Sequence, residues 1–228
     1  MKRTILSSVS FNNMIISLTG FMGCGKSSVG RELSKLLCCP FMDLDTEIET
    51  RSGCTVAEIF ETSGEAEFRR LEKETLKDIL ETGGRVLEIP KTPALPTVGH
   101  PLAGGGMSSP SSGTPACKNQ EHPSNERPQM ILALGGGTVM TPRCAELAHE
   151  NTFCIYLRAS VQTLVSHLRN EAAGRPLLEA SDLQERILKL MSQRSATYEK
   201  TAHVIIDTDG KTVDAVSEEI VKSISSIF

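Results

Sequence analysis

The sequence has no apolar run long enough to cross a membrane, and it has no excess of positive charge. Its 24 lysines and arginines are outnumbered by 28 aspartates and glutamates, giving a net charge of −4. Nothing in that total favours nucleic-acid binding, so any affinity for anions must be local. Residues 1–13 are too polar to form the apolar centre of a secretory signal, and we expect them to be an N-terminal extension. These absences predict a cytoplasmic globular protein without nucleic-acid or membrane partners.

The sequence also lacks a disulfide or zinc framework. Its 7 cysteines are odd in number and show no pair-of-pairs spacing of the kind that binds zinc. Disulfides are rare in a chain of this length that carries no export signal. The cysteine pattern therefore favours a reduced, intracellular protein.

Short apolar runs alternate with helical patterns along the chain. The runs predict buried strands at 14–19, 41–44, 130–134, 152–157 and 203–206. Helical spacing of apolar residues predicts helices at 25–38, 55–61, 65–80, 142–149, 161–168, 183–198 and 213–227, with Gly64 separating the second from the third. This alternation is typical of a three-layer α/β/α domain with a five-stranded parallel sheet.

One segment breaks this pattern. Proline, glycine and serine dominate residues 83–128, and no helical or strand period survives there. Such a composition buries too little apolar surface to offset the entropy of ordering the chain. We predict a flexible insertion within a single domain that spans 14–228. An ordered lid or a partner-docking loop is the alternative.

The segment GFMGCGKS, Gly20–Ser27, fits the pattern of a phosphate-binding P-loop between a strand and a helix. Its glycines let backbone N–H groups turn toward phosphates, and the helix N-terminus adds positive potential. Lys26 is expected to reach the β- and γ-phosphates, and the Ser27 hydroxyl to bind Mg²⁺. The predicted ATP contacts in this stretch are Gly23, Cys24, Gly25, Lys26, Ser27 and Ser28.

Two acids follow the second predicted strand. Asp43 and Asp45 are two residues apart, so on a strand their side chains would share one face. They would lie at the carboxyl edge of the sheet, where open α/β folds bind ligands. One acid can hold Mg²⁺, and the other can accept the proton of a substrate hydroxyl.

Arginines and glycines supply a candidate acceptor site. Arg69 lies on a predicted helix with Glu72 one turn away, and an arginine fork binds a carboxylate in a bidentate manner. The triplet Gly135, Gly136 and Gly137 ends a predicted strand and allows close approach to a ligand. Arg175, in the segment GRPLL, suits a lid that excludes water and stabilises the transferring phosphoryl group. Arg194 is a further candidate anion ligand, although its spacing alone predicts a surface residue.

These motifs, in this order, resemble the shikimate kinase family. The matching stretches are GFMGCGKSSVGRELSKLL, PFMDLDTEIE, VAEIFETSGEAEFRRLE, ILALGGGTV, GRPLL and QRSATYEKTAHVIIDT. The resemblance implies an ATP- and Mg²⁺-dependent transfer of phosphate to the 3-hydroxyl of shikimate, giving shikimate 3-phosphate in aromatic amino-acid biosynthesis. A small kinase of this kind is expected to be monomeric.

The resemblance also implies roles for individual residues. Asp43 is similar to the magnesium-associated acid of the family, and Asp45 to its hydroxyl ligand and base. Arg69 and Arg194 resemble the clamp on the shikimate carboxylate, and Arg175 the lid arginine. The remaining matches are Gly135–Gly137 as the substrate-proximal turn, Phe60 and Phe68 as apolar walls of the acceptor pocket, and Arg169 as the arginine on adenine.

Two other functions remain open from the residues alone. The acceptor of the phosphate could be another small hydroxy acid, such as gluconate. The arginines favour a carboxylate but do not discriminate between acceptors by their number of hydroxyl groups. The chain could also be a nucleotide-binding module that has lost catalysis and binds a partner through the insertion. Intact Lys26, Ser27, Asp43 and Asp45 argue against that second alternative.

Overall fold

The computed structural model describes residues 14–83, 127–171 and 180–227. Within these ranges lie five strands: β1 (Ile15–Thr19), β2 (Phe41–Asp43), β3 (Met130–Ala133), β4 (Phe153–Arg158) and β5 (Val204–Asp207). The helices of the same ranges are α1 (Lys26–Leu36), α2 (Leu44–Ser52), α3 (Val56–Thr82), α4 (Pro142–Asn151), α5 (Val161–Glu171), α6 (Ala180–Thr201) and α7 (Val213–Ile227). A single 3₁₀ turn, Thr138–Met140, follows β3.

The strands form one parallel sheet in the order β2-β3-β1-β4-β5. The predicted five-stranded parallel sheet is therefore confirmed. Strand β1 lies at the centre, and all five of its residues are buried, as expected for a strand covered on both faces. The loop after β1 thus opens at the middle of the carboxyl edge, where ligands bind in such sheets.

Alternate residues of β1 meet different helical layers. The Ser17 hydroxyl is 2.6 Å from the hydroxyl of Thr152, which follows α4. The next residue, Leu18, faces α1, where a Cβ on Gly30 would lie 3.4 Å from its side chain. Helix α7 packs beside α1, whereas α6 packs beside α4. These contacts establish the predicted α/β/α layering.

The structure adds one helix that the apolar pattern did not predict. Helix α2 is short and charged, and only Leu44 and Ile48 are buried along it, which is too brief a pattern to read from sequence. It begins directly after β2, and the side chain of Asp43 accepts a hydrogen bond from the Asp45 backbone N–H as its N-cap.

The two helices predicted on either side of Gly64 are the two arms of α3, which meet at a kink. Gly64 has φ 78° and ψ 173°, which is not helical, so the predicted break lies where expected. Thr55 and Glu58 form a capping box that fixes the start of the helix. The kink changes the direction of α3 between Phe60 and Arg69.

None of the helices in the described ranges combines the length and the apolar character required to cross a bilayer. The predicted N-terminal extension and residues 84–126 of the predicted insertion lie outside those ranges, as do residues 172–179 with Arg175. The predictions made for these segments stay predictions.

Candidate active site

The loop between β1 and α1 has the backbone of a phosphate cradle. Gly23 and Gly25 adopt φ values of 78° and 90°, in the left-handed region that residues with a side chain rarely occupy. At Gly25 a Cβ would meet no atom within 4 Å, so the backbone angle is what favours glycine there. Lys26 folds back over the loop, and its Nζ donates to the carbonyl oxygens of Gly20 at 2.9 Å and Phe21 at 3.0 Å. The loop therefore already positions an ammonium group over the place where phosphates would sit.

Ser27 and Asp43 meet beside this loop. The Ser27 hydroxyl donates a 2.6 Å hydrogen bond to Asp43 Oδ2. A hydroxyl and a carboxylate oxygen from two different elements are the hard oxygen ligands that Mg²⁺ prefers, together with water and phosphate. The predicted pair of magnesium-associated residues is thus brought together, and its chemistry fits the ion.

Asp45 also lies near Asp43, but not for the reason that the sequence suggested. Strand β2 ends at Asp43, and Asp45 belongs to the first turn of α2, so the two side chains do not alternate on one strand. Proximity comes instead from the turn into the helix, where the Asp45 N–H donates to Asp43 Oδ1 at 3.2 Å. The shared-face argument was wrong, although its conclusion that the two acids are neighbours is correct.

The Asp45 carboxylate is unusual in its surroundings. Its Oδ1 atom is buried and makes no hydrogen bond to any described residue. Burial, followed by the nearby negative charges of Asp43 and Glu72, raises the pKa of Asp45 to about 6, against a lowering effect of Lys26. A buried carboxylate oxygen without a partner costs free energy, and such groups are concentrated at functional sites. The geometry suits a group that accepts a proton from a ligand.

A buried ion pair lies on the neighbouring face of α3. Glu72 is fully buried, and its Oε2 accepts a 2.7 Å hydrogen bond from Arg69. Its other oxygen accepts a 2.6 Å hydrogen bond from the Thr138 hydroxyl. With both oxygens engaged, the carboxylate cannot rotate, so it fixes the Arg69 guanidinium in one orientation. The predicted lock of Arg69 by Glu72 is present, and Thr138 completes it.

Arg70, the next residue, faces away from this cluster. Its guanidinium pairs with Glu67 and Glu74, each at 2.6 Å, on the exposed side of α3. Adjacent residues of a helix point about 100° apart, which explains why only one of the two arginines reaches the site.

The glycine triplet lies where these groups converge. A Cβ on Gly135 would lie 2.6 Å from Asp45 Oδ1, and one on Gly137 would lie 2.7 Å from an Arg69 nitrogen. At Gly136 a Cβ would come within 3.1 Å of the Met22 backbone nitrogen, in the phosphate-binding loop. The absence of side chains therefore lets the acid, the arginine and the loop reach one turn, and the close approach of a ligand to this turn stays a prediction.

Arg194 lies closer to the site than its spacing predicted. It is half-buried on α6. Its guanidinium carbon is 6.0 Å from the centroid of the Phe21 ring, in the phosphate-binding loop. Arg194 is therefore partly exposed, as its spacing predicted, and its side chain also approaches the phosphate-binding loop.

The two predicted wall residues stack on each other. The rings of Phe60 and Phe68 have centroids 4.7 Å apart, and the Arg69 guanidinium carbon is 5.3 Å from the Phe68 centroid. Phe68 is buried, whereas Phe60 is 38% exposed. The pair forms an apolar surface beside Arg69.

Sequence reasoning missed three residues that contact these motifs. Thr138 directly follows the glycine triplet, and Tyr198 follows Arg194 by one helical turn, so both carried a positional signal. Tyr198 donates a 2.5 Å hydrogen bond to the Gly136 carbonyl oxygen. His167, on α5, has its Nδ1 2.7 Å from the Gly23 carbonyl oxygen, and no sequence signal indicated that contact. Arg169 is exposed on the same helix, two residues after His167.

The chain matches the family model described as shikimate kinase over residues 22–89 and 120–225. The stretch between the two matched segments, 90–119, falls inside the predicted insertion. The shikimate kinase of Thermus thermophilus is 32% identical over 209 residues, which cover 92% of this chain and 89% of the relative. That of Geobacter sulfurreducens is 32% identical over 220 residues, or 96% of each chain.

Solved structures agree with this match. The structure of a shikimate kinase from Acinetobacter baumannii in complex with shikimate has a TM-score of 0.69 at 25% identity, covering 95% of this chain and 96% of that one. A shikimate kinase from Aquifex aeolicus has a TM-score of 0.63 at 25% identity, covering 94% and 98%. The phosphate-binding loop, the fold and these matches agree: the chain belongs to the shikimate kinase family.

Proposed function

We propose that this protein is an ATP-dependent kinase that transfers the γ-phosphate of ATP to the 3-hydroxyl of shikimate, giving shikimate 3-phosphate. The observation that carries this proposal is the environment of Asp45. A buried carboxylate oxygen that has no hydrogen-bond partner among the described residues lies against the same glycine turn as a fixed arginine and the phosphate-binding loop. A hydroxy acid bound there would supply the missing hydrogen-bond donor to Asp45 and a carboxylate to the arginine.

Two arginines would hold the carboxylate of the acceptor. Arg69 is fixed by Glu72, so it presents its guanidinium with little further loss of entropy. Arg194 approaches from α6, beside the phosphate-binding loop. The Phe60–Phe68 pair would support the apolar face of the shikimate ring next to Arg69, and Gly135–Gly137 would leave space for the ring.

The nucleotide would lie across the loop and the start of α1. Backbone N–H groups from Gly23 to Ser28 would contact the phosphates, and the Lys26 ammonium would exchange its carbonyl partners for phosphate oxygens. Ser27 and Asp43 would hold Mg²⁺, Asp43 through water. When bound, this ion neutralises charge on the β- and γ-phosphates. Arg169, on the helix α5 whose His167 contacts the Gly23 carbonyl, is proposed to pack on adenine.

Transfer requires one proton acceptor and one phosphoryl donor. Asp45 would accept the proton of the 3-hydroxyl as its oxygen attacks the γ-phosphorus. A new O–P bond forms, the bond from the γ-phosphorus to the β,γ-bridging oxygen breaks, and ADP leaves. Lys26 would stabilise the negative charge that develops on the phosphoryl oxygens, and Arg175 is proposed to add a second positive charge from the lid.

We propose that the enzyme is monomeric, by analogy with small single-domain kinases. We also propose that it acts in the cytoplasm, where aromatic amino-acid biosynthesis would supply shikimate. The odd number of cysteines, without the spacing of a zinc site, favours a reduced protein and supports this location.

One assay tests the proposed function. ADP release is measured with ATP and Mg²⁺, with shikimate present and absent, and with gluconate as the alternative acceptor. We expect release that depends on shikimate and is lost when Mg²⁺ is chelated. Release with gluconate alone would make the chain a kinase of another hydroxy acid. ATP binding without turnover on either acceptor would make it a non-catalytic nucleotide-binding module.

A further inference from the structure

We infer that Tyr198 is a positioning residue for the acceptor: its hydroxyl group ties helix α6, and with it Arg194, to the glycine turn against which the acceptor binds. This inference rests on the proposed function, because it takes Arg194 to be an acceptor ligand. It adds a residue to which no motif of the sequence assigned a role.

The contact with the glycine turn is direct. The Tyr198 hydroxyl donates a 2.5 Å hydrogen bond to the carbonyl oxygen of Gly136. Gly136 is the middle residue of the turn. It lies between Gly135, which contacts Asp45, and Gly137, which contacts Arg69. A hydrogen bond to its carbonyl restrains the peptide plane of a segment that has no side chains of its own to fix it.

The same face of α6 carries Arg194. Tyr198 lies four residues after Arg194 on α6, so the two side chains occupy one face of the helix. Burial raises the pKa of Tyr198 to about 12, even though the positive charge of Arg194 lowers it. The hydroxyl is therefore neutral at physiological pH and donates its proton to the Gly136 carbonyl oxygen.

The ring of Tyr198 is held on a fixed base. It is fully buried and stacks on Tyr156, with centroids 5.1 Å apart. Tyr156 pairs in the sheet with Thr19, the residue that precedes the phosphate-binding loop. The position of the hydroxyl is thus set by the central strands. Tyr198 therefore fixes the position of Arg194 relative to the nucleotide site, and not only within α6.

The test is the Tyr198→Phe variant, which removes one oxygen atom and keeps the stacked ring. We expect the KM for shikimate to rise about three- to tenfold, the effect of one lost hydrogen bond, while the KM for ATP stays within about twofold. Steady-state kinetics with each substrate varied in turn measure both values. A variant with both KM values unchanged, or raised equally, would overturn the inference.

Tyr156→Phe is the matched control. It also removes a hydroxyl from the stack, whereas the hydrogen bond to the Gly136 carbonyl oxygen comes from Tyr198. We expect both variants to lower the melting temperature by similar amounts, and only Tyr198→Phe to change the KM for shikimate. If Tyr156→Phe raises that KM to the same extent, general loosening of the stack explains the effect and the inference fails.

A double variant separates this inference from the proposed function. If Arg194→Ala leaves the KM for shikimate unchanged, the acceptor role of Arg194 is wrong. If Arg194→Ala raises it, Tyr198→Phe should add less in the double variant than it does alone, because Tyr198 acts partly through Arg194. Fully multiplicative effects would show that Tyr198 does not act through Arg194.

Discussion

The nucleotide half and the acceptor half of the candidate site are built in different ways. The first is contiguous: eight residues, Gly20–Ser27, carry the turn, the cation and the hydroxyl. The second is assembled from α2, α3, the turn after β3 and α6, so its members span Asp45 to Arg194 along the chain. Phosphate binding depends mainly on backbone conformation, which local sequence controls, whereas acceptor binding needs side chains that only the fold brings together. The two halves should therefore respond differently to substitution.

The largest effect is expected in the contiguous half. Lys26→Ala should lower turnover about a thousandfold, since it removes the ammonium that is already aimed over the loop. Measured ADP release checks this. Lys35→Ala is the control, because Lys35 is an exposed lysine on the same helix that pairs only with Glu32 among the described residues. A loss of less than tenfold in Lys26→Ala would contradict its place in the transfer.

In the assembled half, Asp45→Asn should cut turnover at least about a hundredfold while leaving ATP affinity nearly unchanged. The amide keeps the size of the side chain but cannot accept the proton. Turnover and equilibrium ATP binding, measured on the same preparation, check the two parts of this expectation. Unchanged turnover would remove Asp45 from the mechanism, and lost ATP binding would place it in the nucleotide half.

Alanine variants of the adjacent residues Arg69 and Arg70 should differ in their effect on the KM for shikimate. Arg69→Ala should raise the KM for shikimate about tenfold or more and spare the KM for ATP, because it removes a charged hydrogen-bond donor to the acceptor. Arg70→Ala should change neither value, since Arg70 pairs with Glu67 and Glu74 on the exposed side of α3. An effect of Arg69→Ala on ATP alone, or an equal effect of both variants, would refute the clamp.

The smallest expected effect is that of Asp45→Asn on the free energy of unfolding. The pKa of Asp45 is raised to about 6, so the folded protein without ligands binds this proton more tightly than the unfolded chain does. Ionisation of Asp45 therefore destabilises the fold, fully above pH 6 and not at all below about pH 4, the ordinary pKa of an aspartate. Asp45→Asn should raise the free energy of unfolding by about 1–2 kcal/mol at pH 8.

The increase in the free energy of unfolding caused by Asp45→Asn should disappear as the pH falls through 6 toward 4. Urea unfolding at several pH values, without nucleotide or Mg²⁺, measures this increase. The wild-type protein at each pH is the reference, and Asp78→Asn is a control at a half-exposed aspartate on α3. A gain that is independent of pH, or that grows on acidification, would contradict a raised pKa for Asp45.

Most of the fold could be predicted because its strands are short, buried apolar runs separated by helical patterns. Helix α2 could not, since its charged sequence buries only two residues, and its start is fixed by the Asp43 cap. For the same reason the two acids were placed on one strand when they flank a turn. The contact of His167 with the Gly23 carbonyl was also beyond prediction, because it depends on how α5 packs on the loop.

The sequence by itself determined the phosphate-binding loop, the parallel sheet and the family, because these depend on local backbone preferences and on the order of motifs. Only the tertiary structure decided that Glu72 is buried between Arg69 and Thr138, and that one oxygen of Asp45 has no partner among the described residues. The physical reason is that burial and electrostatic coupling are properties of side chains brought together from distant segments, and no local pattern specifies them.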